Sequence, residues 1–519
     1  MLEKFQNPIL PGFHPDPSIC RANDDFYIVN STFEFFPGVP ISHSKNLAQW
    51  TYLGHCLTSP EQLHLTCAKA SGGIYAPTIR FHEGIFYMTT TNVSDQGNFI
   101  VHSKSPDKGW SAPFWVDQGG RDPSLFFDED GKVYFTSTGN LADGSCTIQM
   151  CEINPLTGER YTQSRVISQG CAGKFPEGPH LYKRHGFYYL MQAEGGTEYG
   201  HMETIQRSTD IYGPYEACPH NPILTHRDDV RGEICCTGHG DLVEDQHGNW
   251  WMVCLGTRPL QGEYGALMLH NLGRETFLVP VTWGEDDWPY AGEHGKVLLE
   301  MTAALPDKLQ EEMTDGFVRS KSFKDDFTKP SFDYAYSFLR NPSPLHYMRD
   351  TKQHRLLLKG SKETLQEAAS PTWIGIRQKE HEVVFEATVG LLAEQTSGQK
   401  GVRAGLTAFY NEQYHYDIYL TKEEGAYYVC LARHIHDVFV VTKRVQIMQA
   451  ENVRLKVQAD GRQYQFFYRL EENPYICLGS GLTAGLCTEG TATMTFTGTF
   501  LGMFAENTEA AFEELSCQY

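Results

Sequence analysis

Apolar and polar residues alternate along much of this chain in short runs, and turn residues separate the runs at hairpin distances. A two-residue period is typical of β-strands with one buried face, so the pattern predicts an all-β protein. Five runs also share a motif, in which Pro or Gly precedes a short apolar strand and a turn then leads to an aromatic position. The copies begin at Asp16-Pro17-Ser18-Ile19, Ala76-Pro77-Thr78-Ile79, Asp122-Pro123-Ser124-Leu125, Glu177-Gly178-Pro179-His180-Leu181 and His239-Gly240-Asp241-Leu242.

The aromatic position of this motif recurs at intervals of 47 to 62 residues, at Tyr27, Tyr87, Tyr134, Tyr189 and Trp251. Repeats of that length built from hairpins predict the blades of a β-propeller. Five blades around one axis would bring the leading residues of the inner strands close together. The leading residues with ionisable side chains are Asp16, Asp122, Glu177 and His239.

The leading residue changes between the copies while the apolar positions around it stay apolar. An Asp that only caps a turn before Pro would predict the same residue type in every copy. Carboxylates that converge in one pocket are instead the groups that acid–base hydrolysis of a sugar bond requires. For His239 the sequence leaves three interpretations open: a pocket residue, a metal ligand or a buried structural histidine.

The second half of the chain predicts a separate β domain. The polar residues 306–322 predict a linker between a propeller at 1–305 and a second domain at 323–519. Strands are predicted at 382–389, 414–420 and 427–431, and Asp460-Gly461 predicts a hairpin between 453–457 and 464–468. This density of strands favours a two-sheet β-sandwich.

Composition excludes several classes of function. The net charge is −21 and no cluster of Lys or Arg stands out, which argues against nucleic-acid and membrane partners. No apolar stretch reaches membrane length, and no phosphate-binding loop or HExxH motif is present. Residues 1–6 lack a signal-peptide pattern and the 14 cysteines show no CxxC spacing, so we expect reduced thiols and a cytoplasmic location.

Several segments, in order along the chain, resemble glycoside hydrolase family 43. They are residues 7–18, 72–77, 122–125, 177–180, 193–197, 238–241 and 272–276. The second domain is similar to the sandwich that follows the propeller in the β-xylosidase and α-L-arabinofuranosidase branch. The resemblance implies an all-β fold in which a five-bladed β-propeller is followed by a concanavalin-like β-sandwich.

The resemblance also implies roles for the three carboxylates. Asp16 matches the general base that activates water, and Glu177 matches the general acid that protonates the leaving oxygen. Asp122 matches a third carboxylate that orients the acid and tunes its pKa. If the base activates water directly, the anomeric configuration inverts and the two catalytic carboxyls lie about 6.5–9.5 Å apart.

Four further residues match the sugar-binding part of the family motif. Arg274 matches an arginine that binds substrate hydroxyls, and Phe33 and Tyr75 match residues that line the terminal-sugar subsite. His239 matches a histidine at the pocket floor, near which relatives can hold a calcium ion. The resemblance implies no cofactor for the chemistry itself, and it implies a homo-oligomer, either a dimer or a tetramer.

We therefore expect an exo-acting, inverting hydrolase that releases terminal D-xylose from β-1,4-xylooligosaccharides. The segment 498–504 resembles one that closes the pocket in relatives, and this favours exo action. Tyr75 and Phe35 stand where some xylosidases carry Trp, so α-L-arabinofuranosidase or dual activity remains an alternative, with an arabino-oligosaccharide as substrate. More remote alternatives are a sugar-binding propeller without turnover and a fructosidase, whose Asn-Asp-Pro-Asn-Gly opening is absent.

Overall fold

The structure, a computed structural model, describes residues 2–171, 173–229, 231–310, 316–392 and 401–519. Nearly all regular structure is β, which confirms the predicted fold class. The described helices are three short 3₁₀ turns, Pro344–His346, Thr483–Leu486 and Thr488–Gly490, and none of them has the length or apolar character to cross a membrane. Residues 311–315 of the predicted linker lie outside the described residues.

Five antiparallel sheets follow one another along the chain and form the five-bladed propeller that the repeats predict. In each sheet the strands are paired in chain order. The first blade is Ser18–Ala22, Asp25–Val29, Gly38–Ser44 and Thr51–Leu57, and the second is Thr78–His82, Ile85–Asn92, Gly97–Ser103 and Phe114–Trp115. The third is Ser124–Phe127, Val133–Asn140, Cys146–Glu152 and Arg165–Ser168.

The last two blades are slightly more elaborate. The fourth is Glu177–Arg184, Phe187–Glu194, Met202–Ser208 and Glu216–Ala217, with Leu224–Thr225 also paired to the third of these strands. The fifth is Cys235–Glu244, Trp250–Thr257, Glu275–Trp283 and Pro289–Ala291, with a small hairpin of Gln261–Gly262 and Gly265–Ala266. Glu3–Gln6 pairs with Glu300–Ala303, so the two ends of the propeller are joined.

Each copy of the sequence motif forms the first hairpin of a blade. The motif residues begin the first strand, and the recurrent aromatic residue lies in the second strand. Tyr87, Tyr134, Tyr189 and Trp251 are buried, as expected for residues that pack between blades. The apolar and aromatic positions of the repeat thus build the blades, whereas the leading residue of each copy is not needed for this packing and can vary.

A buried polar network joins the first strands of the five blades. Asp241 is fully buried, forms an ion pair with Arg80 at 2.7 Å and accepts a 2.6 Å hydrogen bond from Ser18 Oγ. Arg80 also lies 2.9 Å from His180 Nδ1, which is 3.0 Å from Ser124 Oγ. These five residues come one from each blade, so a single network of contacts includes all five blades.

The pKa values of Asp241 and His180 agree with a charged carboxylate and a neutral imidazole in this network. Burial raises the pKa of Asp241, but the Arg80 guanidinium, His180 and the Ser18 hydrogen bond together outweigh burial and hold that pKa below its ordinary value. Burial lowers the pKa of His180 to about 3, so this imidazole is neutral and can accept hydrogen bonds.

The second domain is a sandwich of two eight-stranded antiparallel sheets. One sheet has the order Tyr347–Asp350, Arg355–Lys359, Glu509–Gln518, Glu382–Leu391, Val453–Asp460, Gln463–Leu470 and Ile476–Leu482, and Ser322–Asp325 also pairs with Glu509–Gln518. The other has the order Val438–Ile447, Ala426–Ile435, Tyr414–Glu423, Arg403–Asn411, Phe500–Glu506, Thr372–Arg377, Tyr336–Leu339 and Phe35–Phe36. The predicted β-sandwich is therefore confirmed.

The last strand of that second sheet belongs to the propeller. Phe35–Phe36 follows the first inner hairpin in sequence, yet it pairs with Tyr336–Leu339 at the sheet edge. Phe35 stacks on Phe500 of the sandwich with ring centroids 4.2 Å apart, and Phe13 lies 5.8 Å from the same ring. Because all three rings are buried, the two domains share one hydrophobic core.

We expect Arg80→Met to destabilise the propeller by about 3–5 kcal/mol, because it leaves the Asp241 carboxylate buried without its counter-charge. The measurement is the urea concentration at half-unfolding at neutral pH. Arg21→Met serves as the control, since Arg21 donates to the Asn23 carbonyl at the protein surface and has no ion pair among the described residues. Equal shifts in the two variants would show that the network does not hold the blades together.

Candidate active site

The first strands converge on a cavity of about 270 Å³. All seven residues that the sequence singled out for catalysis or sugar binding line this cavity: Asp16, Phe33, Tyr75, Asp122, Glu177, His239 and Arg274. They come from all five blades or the loops beside them. The repeat therefore does bring residues that are distant in sequence into one site.

The leading residues share an uncommon backbone conformation. Asp16, Asp122 and His239 have φ angles of 50°, 54° and 50°, in the left-handed region that side chains other than glycine rarely adopt. Each such residue costs about 1–3 kcal/mol, and the surrounding structure must impose it. The same turn at the start of three blades aims these side chains into the cavity.

The fourth blade has glycine at this position, and its carboxylate comes one residue earlier. Gly178 has a φ of 56°, and a Cβ atom there would lie 2.9 Å from His239 Nε2. A larger residue would therefore displace the imidazole. The absence of a side chain at Gly178 lets His239 pack directly beside the backbone that carries Glu177.

Asp16 is held as an ionised carboxylate. Arg274 Nη1 donates to Asp16 Oδ1 at 2.5 Å, and Ser31 Oγ donates to Oδ2 at 2.5 Å. Burial raises the pKa of Asp16, but the charges of Arg274 and His239 and the Ser31 hydrogen bond outweigh burial, so the pKa lies below its ordinary value. Ser31 was not predicted as a site residue, although it lies in the aromatic-rich segment 31–38.

Glu177 has the opposite tendency. Burial and the neighbouring Asp122 carboxyl raise the pKa of Glu177 to about 7, against the lowering effects of His239 and Arg121. Burial also raises the pKa of Asp122, and the backbone N–H of Gly178 donates to it. The cavity thus holds one carboxylate that stays charged and one carboxyl that is still half protonated near neutral pH.

Aromatic rings form one wall of the cavity. Phe33 lies 5.1 Å from Tyr75 and stacks on Phe496 with ring centroids 5.7 Å apart. The Arg274 guanidinium lies 5.4 Å from the centre of Phe496. Such a wall suits the C–H faces of a sugar ring, while the carboxylates opposite it suit the hydroxyls.

The second domain reaches the cavity through Met494 and Phe496, which sequence reasoning missed. The segment expected to close the pocket, 498–504, begins just after them. Most of it is the buried strand Phe500–Glu506 and does not line the cavity. The prediction located the right region but the wrong residues, because a strand in the sandwich core cannot also face the pocket.

A close contact between the domains holds this segment in place. A Cβ atom on Gly498 would lie 2.3 Å from the Leu272 carbonyl oxygen, and one on Gly273 would lie 2.9 Å from Gly498 Cα. The Thr499 N–H donates to the Asn271 carbonyl at 2.8 Å. The next residue after this crossing is Arg274, so domain docking and the position of that arginine are linked.

Comparison with known proteins agrees with the geometry. The family model described as glycosyl hydrolases family 43 matches residues 5–289, and that of the β-xylosidase C-terminal concanavalin A-like domain matches residues 324–516. The chain belongs to glycoside hydrolase family 43. It is therefore an enzyme that hydrolyses glycosidic bonds, and a propeller that binds sugar without turnover is no longer an alternative.

Relatives match this family 43 hydrolase over nearly its whole length. A non-reducing end α-L-arabinofuranosidase of Bacteroides ovatus is 39% identical over 96% of this chain and 91% of its own. A xylosidase/arabinosidase of Butyrivibrio fibrisolvens is 40% identical over 80% of both chains. The crystal structure of a xylan β-1,4-xylosidase from Bacillus halodurans superposes with a TM-score of 0.90 at 30% identity, over 99% of this chain and 100% of that one.

The calcium ion expected near His239 finds no support in the hydrolase. The described residues contain no group of three or more His, Cys, Asp or Glu side chains that could hold a metal ion. Calcium prefers six to eight oxygen ligands, and an imidazole nitrogen is a poor substitute. We therefore assign no metal role to His239 and route no step of the reaction through a metal.

All 14 cysteines have free thiols, as the sequence analysis expects.

We expect Gly498→Ala to lower kcat/KM at least tenfold while both domains stay folded, because a methyl group there collides with the Leu272 carbonyl and shifts Phe496 and Arg274. Far-ultraviolet circular dichroism and rates on a small aryl glycoside are the measurements. Gly390→Ala is the control, since a Cβ at that sandwich position meets no atom closer than 3.8 Å. An active Gly498→Ala enzyme would show that the domain contact does not shape the site.

Proposed function

We propose that this enzyme is an exo-acting, inverting glycosidase that removes a terminal pentose, with D-xylose from β-1,4-xylooligosaccharides as its first substrate. The observation that carries the proposal is the opposite tuning of Asp16 and Glu177 in one cavity. An acid and a base can work at the same pH only if their pKa values differ in this direction.

The roles follow from the contacts. Asp16 is ionised and accepts a proton from the water that attacks the anomeric carbon. Glu177 donates its proton to the glycosidic oxygen as the bond to the leaving group breaks. Asp122 raises the pKa of Glu177, so that the acid is still protonated when substrate binds. Attack by water opposite the leaving group inverts the anomeric configuration.

Exo action is supported by the size and the closure of the cavity. Its volume of about 270 Å³ lies below the range of about 300–1,000 Å³ typical of sites for drug-sized ligands. Met494 and Phe496 of the second domain add further walls to the cavity. The space therefore suits one sugar ring at the end of a chain better than an internal stretch of polysaccharide.

Release of α-L-arabinofuranose is the second candidate. The arabinofuranosidase of Bacteroides ovatus is 39% identical to this chain, whereas the β-xylosidase of Bacillus subtilis is 32% identical. A direct comparison of rates on 4-nitrophenyl β-D-xyloside and α-L-arabinofuranoside, with and without a chelator, decides between the two sugars. Cleavage of long xylan with xylobiose untouched would contradict exo action. Proton NMR identifies the anomer of the sugar that is released first, and an anomer of the same configuration as the substrate would contradict inversion.

We expect Glu177→Ala to lose far more activity on xylobiose than on aryl glycosides with good leaving groups, because only the former need protonation of the leaving oxygen. Asp16→Ala is the paired variant and should lose activity on both, since every substrate needs activated water. Steady-state kcat/KM on a series of leaving groups is the measurement. Equal losses for Glu177→Ala across the series would remove this residue from the acid role.

We expect Asp122→Asn to move the alkaline limb of the pH profile of kcat/KM to lower pH by about one unit. The wild-type limb should fall near pH 7, where Glu177 loses its proton. Removing the negative charge of Asp122 makes ionisation of Glu177 easier and lowers its pKa, so activity is lost earlier as pH rises. Glu198→Gln, which removes another carboxylate from the cavity lining, should shift the limb less. An upward shift in Asp122→Asn would contradict this coupling.

A further inference from the structure

Arg121 is a charged residue of the cavity that the mechanism above does not use. It immediately precedes Asp122, and its guanidinium lies 3.9 Å from Glu177 Oε2. Its side chain is 46% exposed, whereas that of Arg274 is 8% exposed and bonded to Asp16. Apart from the long contact to Glu177, no hydrogen bond of the Arg121 guanidinium is found within the described residues. Its N–H donors therefore face open space beside the acid.

The backbone below this side chain is firmly anchored. The Arg121 N–H donates to Thr138 Oγ1 at 2.8 Å, and the Thr138 N–H donates to the Arg121 carbonyl at 2.9 Å. A Cβ atom on Gly120 would lie 1.7 Å from the Thr138 carbonyl oxygen, so the loop packs directly on the neighbouring strand. Arg121 is thus presented from a rigid base, which lowers the entropy lost when its side chain binds a ligand.

A second cavity of about 190 Å³ adjoins the first, and Arg121 lines both. Its other walls include Val93, Asn140, Cys146 and Pro176, the residue before Glu177. The space therefore borders Pro176 and Arg121, which directly precede the acid and its neighbour Asp122, and none of the seven predicted site residues lines it.

A general acid must reach the oxygen that joins the terminal sugar to its leaving group, so the leaving group lies beside the acid. We propose that Arg121 and the second cavity bind the leaving saccharide, with the guanidinium donating hydrogen bonds to its hydroxyls. This inference rests on the proposed function, in which Glu177 is the acid. The planar fork of an arginine suits two adjacent hydroxyls, and a sugar in this space would displace water rather than another side chain.

The test compares a saccharide leaving group with an aryl one. For Arg121→Met we expect kcat/KM on xylobiose to fall about 10- to 100-fold, as the loss of hydrogen bonds to a charged donor predicts. The loss on 4-nitrophenyl β-D-xyloside should be at least tenfold smaller, because nitrophenol offers no sugar hydroxyls. Arg165→Met, an exposed arginine of the same blade, is the control and should not change the ratio of the two rates.

A second variant probes the cavity without changing charge. Cys146→Phe fills the space beyond Arg121 and should also reduce activity on xylobiose more than on the aryl xyloside.

Rates of Arg121→Met are measured across the full pH range, because Arg121 lowers the pKa of Glu177. Its removal should move the alkaline limb of the pH profile to higher pH for both substrates alike. If the alternative pentose proves to be the substrate, the matching arabinofuranosyl disaccharide and aryl arabinofuranoside are used.

The leaving-group site would be overturned if Arg121→Met and Cys146→Phe both lost activity equally on xylobiose and the aryl xyloside. It would also be overturned if neither variant lost activity on either substrate. Failure of the proposed function has a different signature, since the wild-type enzyme would then release neither pentose from any of these glycosides. Should Arg121→Met not fold, Arg121→Gln gives the same comparison with a polar side chain of similar length.

Discussion

The ion pair between Arg80 and Asp241 is the interaction on which the site depends. It lies where the first strands of the five blades meet, and neither charge could remain there without the other. Ser18, Ser124 and His180 complete the contact around the axis. These polar residues lie only a few positions after the motif's leading residues, so the network sets the separation of the side chains that face the cavity.

The site also depends on the second domain, which does more than cover the propeller. The Phe496 N–H donates to Ser71 Oγ of the propeller, and its carbonyl accepts from Arg274 Nη2 at 3.3 Å. Arg274 in turn bonds Asp16. A chain of contacts therefore runs from a sandwich segment to the carboxylate that stays ionised, and the domains cannot move apart without disturbing it.

The propeller and four of the seven site residues, Asp16, Asp122, Glu177 and His239, could be predicted because the repeat carries them in order along the sequence, whereas Phe33, Tyr75 and Arg274 were identified only through the family resemblance. Each blade is local, so its hairpin, its aromatic residue and its leading residue can be seen in a single stretch. Ser31, Arg121 and Phe496 were missed for different reasons. Ser31 and Arg121 are common polar residues whose contacts appear only when blades pack, and Phe496 reaches the cavity across 425 positions from its partner Ser71. The error at 498–504 arose because the family resemblance identified the segment but could not tell which of its residues face the cavity and which, like Phe500–Glu506, form a buried strand.

Charge balance explains why one cavity can hold three carboxylic groups. Asp16 has its own counter-charge in Arg274, a buried arginine that bonds both of its oxygens. Near Glu177 lie His239 and the distant, half-exposed Arg121, and their lowering effects on its pKa are outweighed by burial and by Asp122. Arg274 bonds both oxygens of Asp16 whereas Arg121 makes only a long contact to Glu177, and this difference contributes to keeping Asp16 ionised and Glu177 half protonated near neutral pH. The same freedom leaves Arg121 with donors for a ligand, and a sugar bound there would stand beside the proton that its departure requires.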